Sequence, residues 1–253
     1  MAQTSELFEF LCRMGDNTLV LGHRISEWCG MAPVLEEDIA MANTALDLIG
    51  QTQLWLALAG EVEGRGRTAD ALAYHRDAWD FRNLLLLEQP NGDFGRTMMR
   101  QFLFDIWHHL YLDSLTASSD DRIAAIAAKA LKEVTYHLER SSDTVIALGD
   151  GSEESHRRMQ DALDRLWPFV GEMFTGDKVD ETLVSRGAIP DTRALRDDYN
   201  ARLAGYLSHA TLVRPTDQFA HNGGKTGSRH SEHLGHMLTT MQWLQRAYPD
   251  ARW

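Results

Sequence analysis

A chain of 253 residues is long enough to bury a sizeable core as one large domain or two small ones, with no need of staples. Its formal charge of −12, from 37 acidic and 25 basic side chains, sets the overall field against phosphate backbones, and Lys and Arg form no patch that would override it, which excludes nucleic-acid binding. Cys12 and Cys29 stand in no CxxC or zinc spacing and suit a reducing cytoplasm, while "LLLLE" at 84–88 is the longest apolar run, far short of a membrane span.

The amino-terminal stretch carries Glu6 and Glu9 and no basic region, so it does not read as a signal peptide. It leads into a first helix containing "LVLGHRISEW", which "GMAP" at 30–33 ends. The spacing predicts a second helix over 36–61, closed by "GRGR", and a third over about 69–88, stopped at "QPNGD". A fourth covers about 93–117. "SSDD" at 118–121 caps a fifth that runs to "LGDGS" at 148–152, and shorter helices are expected at about 153–168, 191–213 and 229–247. Period-two β patterning is missing. Long helices, short connections and shared apolar faces describe an antiparallel helical bundle, an all-α chain expected as one domain over 1–253.

Polar residues on faces that ought to be apolar are the candidates for chemistry. Asn43, Asp47 and Gln51 recur every four residues on the second helix, among Ile39, Leu46, Ile49, Gly50 and Leu54, which read as core. His23 and Glu27 lie one turn apart on the first. Asp105 shares a face with Phe94, Met98, Phe102 and Leu112. On the fifth helix, Ile123, Ile126, Ala130, Val134, His137 and Ser141 form the inner face, with Glu133 at its edge. Carboxylates on four helices suggest a di-iron site, which needs one carboxylate from each of two helices and a Glu-x-x-His from each of the other two.

The register does not deliver that motif. Three residues before His137 stands Val134, and Glu133 is one residue early, about 100° around the helix. On the second helix Gln51 occupies the histidine position and Leu48 the glutamate position. Glu27, Asn43, Asp47, Gln51, Asp105, Glu133 and His137 therefore read as a degenerate polar cluster without metal, in which Glu133 pairs with His137 and fixes helix register.

Near the carboxy terminus, "NGGKTGSRHSEH" at 222–233 places Gly223, Gly224 and Gly227 around Lys225, ahead of His230. A glycine-rich loop with a lysine entering a helix can cradle phosphate, so these five residues are candidates for contact with a substrate or a partner; a tight loop with a helix cap is the plainer reading. His230, His233 and His236 follow helical spacing without a fourth ligand motif and make a weak zinc candidate. Of Trp55, Trp79, Trp107, Trp167, Trp243 and Trp253, most are expected in the core, and one or two exposed would mark a partner face.

The segments "GDNTLVLGHRISEWCGMAPVLEEDIAMANTALDLIGQTQLWL", "RDAWDFRNLLLLEQPNGDF", "LKEVTYH" and "GGKTGSRHSEHLGHMLTTMQWLQRAYPDARW" together resemble the PaaC family, over nearly the whole chain. These are the non-catalytic ferritin-like subunits of bacterial phenylacetyl-CoA epoxidase, so the resemblance implies an all-α fold with a ferritin-like antiparallel four-helix-bundle core and additional helices. The resemblance implies a structural subunit that pairs with a catalytic ferritin-like subunit, which carries the di-iron centre, and with other epoxidase components; no cofactor is then expected in this chain. Two alternatives stand beside it, a di-metal oxygenase in its own right and a CoA-ester binding module. The isolated chain is also a candidate for self-association through the face meant for its partner.

Overall fold

The computed structural model describes residues 2–216, 219–249 and 251, with side chains from residue 6 onward. Every regular element among them is helical. The chain divides into two compact units, residues 1–90 with 222–253, and residues 91–221.

The first unit is organised by α1 (Ala2–Ser26) and α2 (Leu35–Glu63), which pack along one another. Their pairing is antiparallel and close. A Cβ on Gly15 would lie 2.5 Å from Leu56 Cδ2, and one on Gly22 would touch Ile49 and Leu48, so small residues set the distance between the helices. At that contact Thr18 and Thr52 share a hydroxyl–hydroxyl hydrogen bond of 2.8 Å. Helix α2 ends at Gly64, whose positive φ of 69° lets its N–H reach Gly60 O.

The expected helix over 69–88 is not formed. Only α3 (Ala69–Tyr74), a 3₁₀ turn at Ala78–Asp80 and α4 (Leu85–Glu88) are helical. Side chains of α1 take the backbone donors that a continuous helix would have used itself: Asp16 Oδ2 accepts from Arg82 N at 2.8 Å, and Asn17 Oδ1 from Leu84 N at 2.8 Å. Arg76 turns inward to pair with Asp16 through both terminal nitrogens, its guanidinium 4.5 Å from the centre of the Phe81 ring. Phe81 and all four leucines of 84–87 are buried, so the run packs on every side and has no amphipathic face. Helix α10 (Glu232–Ala247) completes this unit, and Gln242 donates to the carbonyls of Ala73 and Arg76.

The second unit pairs α5 (Phe94–Leu115) with α6 (Asp121–Gly149). Asp93 and Asp120 cap them, accepting from Arg96 N and Arg122 N, the second as the "SSDD" stretch predicts. Against this pair pack α7 (Glu153–Leu166), a 3₁₀ turn at Thr192–Leu195 and α9 (Arg196–His209); a 3₁₀ segment at Trp167–Phe174 packs on α7 and on that turn, and α8 (Lys178–Ser185) follows it in the chain. The Trp167–Phe174 segment and α8 were not anticipated from periodicity. Pro168 at the start of the first, and the Asp177–Asp180 capping box of the second, are the local signals for them. No described helix is long and apolar enough to cross a membrane. The architecture is all-α with the long paired helices of a ferritin-like fold.

Candidate functional site

The predicted polar residues fall in both units. In the second, α5 and α6 bring together Gln101, Asp105, His108, His137 and Ser141, all buried. Asp105 accepts from Gln101 Nε2 at 2.7 Å through one oxygen and from Ser141 Oγ at 2.8 Å through the other. Burial pushes the Asp105 carboxyl up to about 6, with His137, Ser141 and Gln101 opposing part of that rise. His108 lies against Phe104, ring centres 4.8 Å apart, and neither of its nitrogens has a hydrogen-bond partner among the described residues. Burial, helped by His137 and His109, drives it down to about 3, so at neutral pH His108 is an uncharged filler of the core. Of the inner face that the periodicity predicts for α6, Ile123, Ala130, Val134, His137 and Ser141 are buried, and Ile126 is half-buried. Val134 therefore fills the ligand position with a side chain that has no donor atom.

In the first unit the prediction needs correcting. Glu27 lies just past the end of α1, exposed, and pairs with Arg24 at 3.1 Å. Asn43 is exposed, Asp47 half-buried and Gln51 buried, because each four-residue step advances about 40° and the stripe winds off its starting face. The buried side of α2 instead runs through Met41, Ala45, Leu48, Thr52, Trp55 and Leu56. Ile39, Leu46 and Ile49, expected in the core, are exposed. Among the described residues no three or more His, Cys, Asp or Glu side chains are grouped so as to hold a metal ion.

The loop at 222–231 turns inward, onto the segment 79–88. A Cβ on Gly224 would lie 2.4 Å from Asn83 O, and one on Gly227 would lie 2.2 Å from the Arg82 guanidinium. Gly223 and Gly227 also hold positive φ, at 115° and 67°. The glycines are thus accounted for by the close approach of two backbones at Gly224, by the Arg82 side chain and a positive φ at Gly227, and by a positive φ within the loop at Gly223. Lys225 is buried in the same loop. Both His230 nitrogens are engaged, Nδ1 with Glu88 Oε1 and Nε2 with Phe81 O, which leaves none for a ligand or zinc. His230 also precedes α10, so it shares no helical stripe with His233 and His236.

Glu88 is the residue that sequence reasoning passed over. Fully buried, it accepts from Asn83 Nδ2 at 3.0 Å and from both the backbone N and the hydroxyl of Ser231 at 2.7 Å. Arg24 adds a bond from its guanidinium to Glu88 O at 2.8 Å and another to His233 O at 3.2 Å. One carboxylate thus fastens the carboxy-terminal loop to the amino-terminal helices. An acid closing a four-leucine run was the available signal, since a buried charge demands partners.

Two surface features complete the picture. Leu35, Ile39, Leu46 and Ile49 on α2 are 71%, 54%, 66% and 41% exposed. At about 100° per residue they fall within roughly 80° of one another, one apolar stripe in which Leu35, Ile39 and Leu46 face away from α1 and Ile49 stands at the edge, where it meets Gly22 of α1. Trp79 and Trp243 are exposed as well, whereas Trp55, Trp107 and Trp167 are buried; Trp253 lies outside the described residues.

Comparison with known proteins accords with this arrangement. The chain is 45% identical over 249 residues, 98% of its own length and 100% of the relative's, to a subunit of the 1,2-phenylacetyl-CoA epoxidase of Escherichia coli (strain K12). A family model described as phenylacetic acid catabolic protein matches residues 1–253, and the chain belongs to that family.

Proposed function

We propose that this chain is a structural, non-catalytic subunit of a phenylacetyl-CoA epoxidase, pairing with and stabilising the subunit that carries the di-iron centre. The observation that carries the reading is the outer face of α2. A helix that is apolar on both its inner and outer sides calls for a cover on each. Helix α1 covers the inner side and reaches Ile49 at its edge, and Leu35, Ile39 and Leu46 leave the outer side exposed. From Leu35 to Ile49 is 15 residues, a rise of about 21 Å of helix, a length suited to a partner helix laid alongside. Gly50, at the edge of the stripe with open space where a Cβ would be, permits close approach.

The non-catalytic part of the reading is supported by the positions of Leu48 and Val134, both buried where the family's ligand motif would need carboxylates. Both cysteines are free thiols, in keeping with work in a reducing cytoplasm. The test is co-purification of the full chain with the catalytic subunit. Ile39→Asp/Leu46→Asp is expected to fold normally and to lose the partner, whereas Lys129→Asp on the exposed side of α6 keeps it. Co-purification of the double variant at the unmodified level would remove α2 as the partner face. Iron in near-stoichiometric amount in the isolated chain would overturn the non-catalytic assignment.

A further inference from the structure

From Ile25 to Gly64 the chain runs through 40 residues without a Lys, Arg or His. Helix α2 fills most of that span and carries Glu36, Glu37, Asp38, Asp47, Glu61 and Glu63. The basic side chains on either side of the span are engaged by other acids, Arg24 by Glu27 at 3.1 Å and Arg67 by Glu63 through two hydrogen bonds. Asp38 accepts from Ala32 N at 3.2 Å and so belongs to the turn before the helix. Glu36 and Glu61 are exposed, and neither pairs with a basic side chain among the described residues.

These two carboxylates have a defined place beside the outer apolar stripe. At about 100° per residue Glu36, Asn43, Gly50 and Glu61 fall within roughly 40° of one another, along the edge of the stripe opposite Ile49. All four are exposed. Glu36 stands near one end of this edge and Glu61 near the other, about 37 Å farther along the helix. Gln53 and Ala57, exposed as well, carry the face of Leu35, Ile39 and Leu46 on toward Glu61. The outer side of α2 is therefore apolar along its middle and negative along one edge.

We infer that the occupant of this face is a helix of a different chain whose apolar side is flanked by Lys or Arg, and that the acidic edge bars a second copy of this chain from the same place. The inference rests on α2 being the partner face, as proposed above, and adds the chemistry of the partner. A second copy fails on charge in either orientation. Laid antiparallel about the middle of the stripe, Leu35 comes level with Ile49 of the other copy, and Glu36 then lies beside Asp47 of that copy, twice over by symmetry. Laid parallel, the two first turns meet, each with Glu36, Glu37 and Asp38. Like charges set against each other at an interface cost affinity, and two chains of net charge −12 repel at longer range as well. Lys or Arg on a partner helix turns the same edge into a source of steering and register.

The test measures association rate and affinity of the full chain for the catalytic subunit at about 50 mM and about 500 mM NaCl. Glu36→Lys/Glu61→Lys is expected to slow association and weaken binding about tenfold at the lower salt, and less than about threefold at the higher. Glu36→Gln/Glu61→Gln should fall between the two, and it carries the test if lysine in the first turn of α2 disturbs the helix start. Glu139→Lys/Asp143→Lys, at two exposed positions on α6, makes the same change in net charge and is expected to bind like the unmodified chain. In sedimentation the isolated chain is expected to form no dimer through α2. Unchanged binding by Glu36→Lys/Glu61→Lys at both salts would overturn the inference. So would equal weakening by the α6 pair, which would assign the effect to net charge, or a dimer of the isolated chain that Leu46→Asp dissolves. Each of these leaves α2 as the partner face, whereas full binding by Ile39→Asp/Leu46→Asp would remove that face and the inference with it.

Discussion

Replacing Asp105 by Asn should stabilise this protein at neutral pH, although it removes a buried, hydrogen-bonded carboxyl group. Asn fits the same bonds: its Oδ1 can accept from Gln101, and its amide can donate to Ser141 Oγ, whose own proton then turns to Leu138 O, already 3.3 Å away. What changes is the titration. Burial raises the Asp105 carboxyl from 3.8 to about 6 in the folded chain, so the folded state holds this proton to higher pH than the unfolded state does. The contribution of Asp105 is therefore best below its unfolded value and is lost as pH rises through about 6. A gap of about two units at 1.36 kcal/mol each makes the full loss about 3 kcal/mol by pH 8, with roughly half already present at pH 5.

Urea unfolding of the unmodified chain and Asp105→Asn at pH 4, 5, 6 and 8 measures this directly, because subtracting the two curves cancels every other titrating group. The variant is expected to be nearly equal to the unmodified chain at pH 4 and progressively more stable above it, by up to about 3 kcal/mol. A difference that does not vary with pH would refute the reasoning. So would a variant less stable at pH 8, which would mean that the ionised carboxylate itself holds α5 to α6.

Two further outcomes follow from the first unit. Asp16→Asn leaves Arg76 buried with its charge uncompensated; burial alone would lower the Arg76 pKa, and the pairing with Asp16 more than reverses it, so the loss should be about 3–5 kcal/mol in urea unfolding. A loss below about 1 kcal/mol would show that the other groups around Arg76 suffice. Two glycine-to-alanine changes should have opposite signs. Gly224→Ala forces a methyl against Asn83 O and should cost about 1–3 kcal/mol, whereas Gly205→Ala, on α9 with open space around it, should gain about 0.5–1 kcal/mol. Hydrogen exchange at Ser231 N–H, whose bond to Glu88 ties down the loop, should quicken in Gly224→Ala alone.

The parts of this fold legible in the sequence are those where one helix face is apolar and the other polar. Helix α6 is such a case, and its buried residues Ile123, Ala130, Val134 and His137 were all on the predicted face. The segment 69–88 was not legible, because its helical periodicity lost to bonds from Asp16 and Asn17, more than 60 residues away in the chain. Glu88 was hidden for the same reason, its decisive partners His230 and Ser231 being 142 and 143 residues distant. Local pattern carries no record of such pairings.

Helix α2 failed differently, and the manner of failure bears on function. Its apolar residues lie on both sides, Leu48, Trp55 and Leu56 within and Ile39, Leu46 and Ile49 without, so the two stripes cancel and periodicity has no phase to report. Choosing Ile39, Leu46 and Ile49 as core was then as reasonable as choosing their opposites. A helix in a self-sufficient fold carries no such ambiguity, since selection for solubility keeps its outer face polar. A helix that must be covered twice, once by its own chain and once by another, has to be apolar on both sides. Under the function proposed above, the loss of phase in α2 is what a shared interface would look like in sequence, and the proposal separates two classes of substitution. Leu48→Asp should unfold the first unit with or without a partner, while Leu46→Asp, two residues away and on the other side, should leave the isolated chain folded and cost only assembly. Equal destabilisation of the isolated chain by both would mean that the outer stripe is core after all.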